Sequence, residues 1–379
     1  MTTTHHNGSE IKMTKIHKGS LAAAVAAAII AAPAAHAAPT PAGRIHLDYA
    51  LYDEDAAPMN DAFHVRRARM ALSDKLDDSW SYKTEVDFAE NGVAFKDMYL
   101  KFGKFTIGQV KVPFSLDEQT SSNNITFMER ASPTLFTVAH RTGLTYGTSG
   151  DNHSFKVMGF GQAIGDGDGG DEGLGLGGRF TYAPMKTDNG VLHLGIAAVS
   201  YEPTNSVTDT MRFRQRPESR PDGSRLVDTG AISDVDNTFS YGLEAAWQSG
   251  PFSVQGEYIG TTVARDAGMP DVDLGGYYVA ASYFVTGESR RYSSSGGVFS
   301  GPKIADASKG AWEVAVRYSA LDLDDGAILG GEMENITLGV NWYARSGVRF
   351  MFNYINATST VAGLDNDPSI LQFRTQVSF

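Results

Sequence analysis

The sequence predicts an all-β fold, a transmembrane antiparallel β-barrel of about sixteen strands. Three observations lead to this prediction. The N-terminal segment has the pattern of an export signal, the remainder alternates apolar and polar residues with period two, and the chain contains no cysteine. Strands with one apolar and one polar face suit a membrane barrel, whose backbone groups are all paired between neighbouring strands.

The N-terminus has the three parts of a secretory signal peptide. Its positive flank contains Lys12, Lys15 and Lys18. An alanine-rich apolar run, 21–35, follows and ends in the A-x-A pattern Ala35-His36-Ala37. This run is too short for a transmembrane helix, which needs ~20 apolar residues. We therefore expect a signal peptide at 1–37 and a barrel domain at 38–379, with a mature N-terminus at Ala38.

Charge and composition exclude several classes of function. The full chain has 32 basic and 44 acidic residues, a net charge of −12, and removal of residues 1–37 changes this to −14. Such a protein has no global field for nucleic acid, so we expect no nucleic-acid partner. Without cysteine there are no disulfides, thiol nucleophiles or thiolate metal sites. The nine histidines form no ligand cluster and no catalytic triad motif is present, so we expect no cofactor, no metal and no enzyme activity.

Period-two alternation identifies the strands one by one. In 239–248, for example, Phe239, Tyr241, Leu243, Ala245 and Trp247 alternate with polar or small residues. The predicted strands begin near residues 44, 62, 80, 93, 105, 141, 153, 174, 191, 238, 252, 273, 311, 334, 348 and 370. A soluble β-sandwich or propeller would also alternate. The export signal and the last strand favour the membrane barrel.

That last strand, 370–379, alternates regularly and ends on Phe379. A terminal phenylalanine after such a strand is typical of the signal that the barrel-insertion machinery reads. Together with the export signal, it places the protein in the outer membrane of a Gram-negative bacterium, in contact with outer-membrane lipid.

Long connections are predicted to alternate with short turns, as in outer-membrane barrels. The long ones fall at 112–140, 162–173, 203–237, 263–272, 322–333 and 359–369, and the exception is 287–309, which is long but lies on the side of the short turns. The segment GDGDGGDEG (165–173) has the composition of a calcium loop. It lacks a glutamate at EF-hand spacing, so we interpret it as a flexible external loop.

Arginines form a row in the connection 203–237. Arg212, Arg214 and Arg216 would project to one side of an extended segment, and Arg220 follows. Phe213 and Gln215 would face the barrel wall instead. The row offers successive guanidinium forks to an anion. The alternative is a solvated basic loop.

A second set of charged residues lies on the strands and connections between residues 62 and 140. Its basic members are Arg66, Arg67, Arg69, Lys83, Lys111 and Arg130, and its acidic members are Glu85, Asp87 and Asp97. Consecutive arginines face the same side of a strand only at a β-bulge; otherwise Arg67 and Arg69 share the inward side. The acids have two interpretations: they pair with the bases and position them, or they weaken any attraction for anions.

Several stretches resemble one family, the phosphate-selective porins O and P. They are FHVRRARMALS (63–73), SWSYKTEVDF (79–88), KDMYLKF (96–102), IGQVKVPFSLDEQTSSNNITFMERA (107–131), RFRQRPES (212–219) and TGESRRY (286–292). The resemblance implies a sixteen-stranded, usually trimeric barrel whose third external loop, here 112–140, folds inward as a constriction loop. It also implies an arginine ladder into the pore and an eyelet lined by residues that match Arg66, Arg67, Lys83 and Lys111.

We therefore expect an outer-membrane porin, a homotrimer whose water-filled channels let small anions diffuse, with phosphate or polyphosphate as substrate. The first alternative is a general, non-selective diffusion porin. The second is a structural or adhesive barrel without significant conduction. An outer-membrane lipid hydrolase would need a paired serine and histidine at the lipid rim, and no such motif is recognisable in the sequence.

Overall fold

The computed structural model describes residues 38–89, 92–165, 173–203, 210–266 and 268–379. The predicted signal peptide, 1–37, lies outside the described residues, as do positions 166–172 of the glycine-rich segment. The strands belong to one compact unit, Thr40–Phe379. Among the described residues, no helix is long and apolar enough to cross a membrane.

Within this part of the chain, sixteen antiparallel strands form the wall of a barrel. In chain order they are β1 (Thr40–Asp53), β2 (Ala62–Lys75), β3 (Trp80–Asp87), β4 (Ala94–Phe102), β5 (Phe105–Lys111), β6 (His140–Ser149), β7 (His153–Phe160), β8 (Gly175–Thr187), β9 (Gly190–Tyr201), β10 (Val235–Ser249), β11 (Phe252–Arg265), β12 (Val272–Phe284), β13 (Ala311–Asp325), β14 (Ile328–Arg345), β15 (Val348–Val361) and β16 (Ser369–Ser378). Every predicted strand start lies within six residues of an observed one, which confirms the predicted strand count. A two-residue strand, Leu364–Asp365, pairs with the end of β15 at Thr360 and Val361.

The barrel closes because β1 pairs with β16 as well as with β2. Ile45 lies opposite Val377 in one pairing and opposite Ala68 in the other. Every other pairing in the wall joins strands that are consecutive in the chain. A closed ring of this kind leaves no strand edge facing lipid.

The direction of the two strand faces is that of a membrane barrel. On β10 the apolar side chains point outward, where Phe239 is 46% exposed and Leu243 is 53% exposed. Glu244 lies on the opposite face of the same strand and is 4% exposed. A soluble barrel would bury the apolar face, so this orientation excludes the soluble alternative.

A β-bulge interrupts the pairing of β1 with β2. His46 lies opposite Arg67, and the next residue, Leu47, lies opposite Val65, so Arg66 is the extra residue. The bulge lets the side chains of both Arg66 and Arg67 point into the barrel, the first of the two arrangements allowed by the sequence.

The connection 112–139, called the constriction loop below, folds into the barrel as predicted. It contains a short helix, α1 (Leu116–Gln119), and a 3₁₀ turn, Ser132–Phe136. The side chain of Arg349 on β15 donates to the carbonyl oxygen of Ile125 at 2.8 Å. Such contacts hold the loop against the inner wall, where its backbone groups are satisfied.

The prediction of a long connection at 322–333 is wrong. β13 runs to Asp325 and β14 begins at Ile328, so a two-residue turn containing Gly326 (φ +57°) joins them. The buried side chains of Leu323 and Met333 belong to the same core cluster as residues of the connection 202–234. The ends of the two strands continue through the predicted loop and pack against that connection. Because this stretch is polar and rich in glycine, its sequence did not indicate strands.

The turn 285–310, predicted to be unusual, also enters the barrel. It forms a hairpin of two short strands, Arg290–Ser293 and Val298–Pro302. Phe299 is buried with Leu116 of the constriction loop and Ala246 of β10. The sequence indicated the length of this turn but not its inward position.

Candidate functional site

A cavity of about 1040 Å³, called the main cavity below, lies inside the barrel and is predominantly basic. Its lining contains most of the charged residues proposed from the sequence: Arg66, Arg67, Arg69, Lys83, Glu85, Asp87, Asp97, Lys111, Arg130 and Arg220. It also contains charged residues that the sequence did not single out: Arg44, Lys96, Lys101, Lys104, Lys156 and Glu118. Twelve basic and four acidic side chains thus line the cavity within the described part of a chain whose net charge is negative.

The acids predicted near the constriction are all paired with bases. Arg69 contacts Asp87 at 2.7 Å and Glu85 at 3.1 Å. Lys83 contacts Asp97 at 2.6 Å and Glu85 at 3.2 Å. Each of the three acids is thus in contact with a base, the arrangement that the first of the two interpretations requires.

The cations around α1 are held by Glu118. One carboxylate oxygen of Glu118 lies 3.0 Å from the ammonium group of Lys111, and the other lies 3.0 Å from Nε of Arg130. Burial alone would raise the pKa of Glu118, but Arg130 and Lys111 lower it to about 2. Arg130 also donates to the backbone oxygens of Asp117 at 2.8 Å and Thr120 at 2.8 Å. Arg130 therefore stabilises the loop as well as lining the cavity.

The two arginines at the bulge have different partners. Arg66 makes a bidentate ion pair with Glu129 of the constriction loop, with N–O distances of 2.7 and 2.9 Å. Although burial opposes ionisation, Arg66 and its neighbours hold the pKa of Glu129 well below its usual value. Arg67 is 2% exposed and contacts the imidazole of His46 at 3.3 Å.

The connection 202–234, called the arginine loop below, has the predicted alternation. Phe213 is buried against Phe136, with ring centroids 5.5 Å apart, and Gln215 donates to the Ser132 carbonyl at 2.9 Å. Arg212 and Arg214 are exposed on the other side of the segment. The two faces of the segment therefore differ at these four positions, whereas Arg216, the third arginine of the predicted row, is half-buried.

The arginine row lies outside the lining of the main cavity, which only Arg220 of this loop reaches among the described residues. Arg212 pairs with Asp228 at 2.6 Å, which raises the pKa of Arg212. Arg225 donates to the Arg214 carbonyl at 3.0 Å. Burial, together with Arg214 and Arg220, lowers the pKa of Arg225, so the cationic cluster is larger than the predicted row.

Glu218 anchors the arginine loop inside the barrel. Its carboxylate accepts from Ser132 of the constriction loop at 2.9 Å and from Ser319 of β13 at 2.7 Å. It also pairs with Arg317 of β13, and its backbone φ is +53°. Sequence reasoning missed this residue. The sequence signal that could have identified it is an acidic residue within a run of arginines. In the structure, its left-handed φ marks a strained backbone position.

Lysines line the end of the cavity where the short turns lie. Lys104 is in the turn between β4 and β5, Lys101 is close by on β4, and Lys156 is on β7. None of the three makes an ion pair with a described residue. Ser293 and Ser295 of the inward turn complete this part of the lining. A basic surface therefore continues through the barrel beyond the constriction loop.

Solved structures of outer-membrane channels share this fold. The anion-selective porin from Comamonas acidovorans aligns with a TM-score of 0.59 at 15% identity, over 90% of this chain and 99% of that one. The trimer form of OmpT from Vibrio cholerae aligns with a TM-score of 0.56 at 12% identity, over 90% and 99%. These structural similarities establish the fold of this chain.

Sequence comparison identifies relatives along nearly the whole chain. Porin O of Pseudomonas aeruginosa is 27% identical over 388 aligned positions, which cover 89% of this chain and 87% of that protein. A protein of Caulobacter vibrioides is 30% identical over 335 positions, covering 82% and 67%. The family model for the phosphate-selective porins O and P matches residues 41–379. The chain is therefore a member of the phosphate-selective porin O and P family and resides in the outer membrane of a Gram-negative bacterium.

Proposed function

We propose that this outer-membrane porin is an anion channel that mediates passive ion transport, with phosphate or polyphosphate as its preferred substrate. The excess of basic over acidic side chains in the central cavity carries this proposal, because the chain as a whole is acidic. The family description and the anion-selective structural relative support it. In this proposal the protein is a channel and not an enzyme.

Three basic regions act in succession in this proposal. The arginine loop attracts an anion to the external mouth. Arg67, Lys83 and Lys111 bind it beside the constriction loop, and the lysines at the turn end accept it before release. Several sites of moderate strength suit conduction better than one tight site, since an ion must leave as readily as it arrives. The acids Glu85, Asp87 and Asp97 position the bases in this scheme.

Planar-bilayer recording tests the proposal. In a tenfold KCl gradient the reversal potential should have the sign of chloride selectivity, and added phosphate should reduce the chloride current. A reversal potential near zero would instead indicate the non-selective diffusion porin, and cation selectivity would contradict the proposal. Absence of channels from correctly folded protein would favour the structural or adhesive barrel.

We also propose that three copies assemble into a homotrimer. Strands β3, β5 and β7 contain only 8, 7 and 8 residues, whereas β14 contains 18. A tilted strand needs ~9–11 residues to cross the hydrocarbon core of a bilayer. The short side of the wall is thus suited to contact another copy and not lipid. The trimer form of OmpT supports the same assembly.

Two further proposals concern biogenesis. Cleavage by signal peptidase would leave Ala38 at the mature N-terminus, as the A-x-A pattern indicates. Phe379 would serve as the assembly signal for the barrel-insertion machinery. Its side chain is 66% exposed, while its backbone pairs with Gly43 at 2.8 and 3.1 Å.

Removal of Phe379 is expected to lower the amount of folded barrel without lowering synthesis or export. The measurement is the heat-modifiable, folded band in outer-membrane fractions. Phe379→Ser keeps the backbone contacts with Gly43, so an equal defect in this variant would assign the effect to the aromatic ring. Normal folded levels after the deletion would contradict the assignment.

A further inference from the structure

We propose that His46 is a positioning residue for permeation: its neutral imidazole holds Arg67 in place while leaving the charge of Arg67 available to a passing anion. This inference rests on the proposed anion-channel function. It assigns a role to a buried histidine that the sequence did not single out.

Three other arginines inside the barrel have carboxylate partners. Arg66 is paired with Glu129, Arg69 with Asp87, and Arg374 with Asp48 at 2.6 Å. Each of these positive charges is largely neutralised by a negative charge within hydrogen-bonding distance. These pairs fix the loop and the wall, but they leave less net charge for a ligand.

Arg67 differs from them. Among the described residues its hydrogen-bond partner is the Nδ1 atom of His46, at 3.3 Å, and its Nε atom has no partner. Arg67 is 2% exposed, yet it lines the main cavity. Glu129 lies close enough to interact with Arg67 electrostatically, but its hydrogen bonds are to Arg66 and Arg374. A buried guanidinium that faces a cavity with no carboxylate in hydrogen-bonding contact is ready to bind an anion.

The contacts of His46 define its tautomer. A guanidinium group only donates hydrogen bonds, so Nδ1 of His46 must be the acceptor and carry no proton. The proton is therefore on Nε2, which donates to Oδ1 of Asn123 at 3.1 Å. His46 lies directly opposite Arg67 in the pairing of β1 with β2. The imidazole thus links Arg67 to the constriction loop without adding a charge.

The two adjacent arginines at the bulge have different roles. Arg66 is used to fix the constriction loop through Glu129, and Arg67 remains for the ligand. A carboxylate at position 46 would be a stronger partner for Arg67 but would compete with the anion. A neutral acceptor orients the guanidinium and preserves its charge.

The variants His46→Asn and His46→Asp test this role because they have the same shape and differ by one charge. Both place an acceptor near the position of Nδ1. In bilayers, His46→Asn should keep the half-blocking phosphate concentration within about twofold of wild type. His46→Asp should raise it at least about tenfold, the loss equivalent to one charge-assisted hydrogen bond. Equal behaviour of the two variants would overturn the inference.

Two controls separate a local from a general effect of the added charge. Thr145→Asp adds the same charge to the lining of the main cavity on β6 and should have a smaller effect than His46→Asp. In an Arg67→Gln background, His46→Asp should change the block by no more than about twofold further. A full effect of His46→Asp in that background would show that His46 does not act through Arg67.

Wild-type recordings distinguish a failure of the proposed function from a failure of the role of His46. Cation selectivity, or absence of phosphate block, in wild type contradicts the proposed function itself. Anion selectivity in wild type combined with indistinguishable variants contradicts only the role of His46. If His46→Asp does not yield a heat-modifiable barrel, the pair His46→Glu and His46→Gln provides the same comparison.

Discussion

Replacement of Glu218 by alanine is expected to lower the thermal stability of the folded barrel and to reduce its anion selectivity together. The carboxylate of Glu218 joins Ser132, Ser319 and Arg317, and its side chain is 1% exposed. Its removal leaves the buried Arg317 without a carboxylate partner, so that its side chain keeps only the hydrogen bond to the Glu129 carbonyl at 3.0 Å and the contact with the Phe127 ring. Breaking a comparable buried pair costs about 3–5 kcal/mol. The arginine loop would lose the anchor that directs Arg220 into the cavity.

The measurements are the temperature at which the folded band converts to the unfolded band in gels, and the reversal potential in a KCl gradient. Glu218→Gln is the matched control, because it keeps the shape and one carbonyl acceptor but removes the charge. We expect a smaller shift for Glu218→Gln than for Glu218→Ala. If Glu218→Ala melts at the wild-type temperature and keeps its selectivity, Glu218 is not the anchor of the loop.

The triple variant Arg212→Ala/Arg214→Ala/Arg216→Ala is expected to slow phosphate capture at low salt without unfolding the barrel. Arg212 and Arg214 are exposed and lie outside the cavity lining, so their contribution is mainly to attract anions toward the mouth. Removing Arg212 also leaves Asp228 without its ion pair, which adds local negative potential.

The experiment compares the rate of phosphate block at about 0.01 M and about 1 M salt, where the Debye lengths are about 30 Å and about 3 Å. We expect a decrease of about tenfold or more at low salt and little change at high salt, since steered association can raise rates by 10–10³. Arg345→Ala removes an exposed arginine at the opposite end of the barrel, beside a short turn, and should behave as wild type. An unchanged block rate in the triple variant at low salt would identify the row as an ordinary solvated loop.

The sequence by itself determined the strands and their orientation. Period-two alternation is a local property of the sequence, so each strand can be recognised without knowledge of its partners. Consecutive strands then pair in order. The same reasoning separated Phe213 and Gln215 from the exposed Arg212 and Arg214. It failed at 322–333, where the two strands support the arginine loop and do not present a regular apolar face to lipid.

Only the tertiary structure decided how the charges are distributed among partners. Glu218 lies 99 positions from Arg317, and Asn123 lies 77 positions from His46, yet each pair is in hydrogen-bonding contact. Local pattern carries no information about such distant contacts, because they depend on the register of the closed sheet and on how the loops fold into it. The sequence could therefore predict that the lumen is rich in arginine and lysine. Which arginine is neutralised by a carboxylate, and which retains its charge beside a neutral imidazole, depends on the folded barrel.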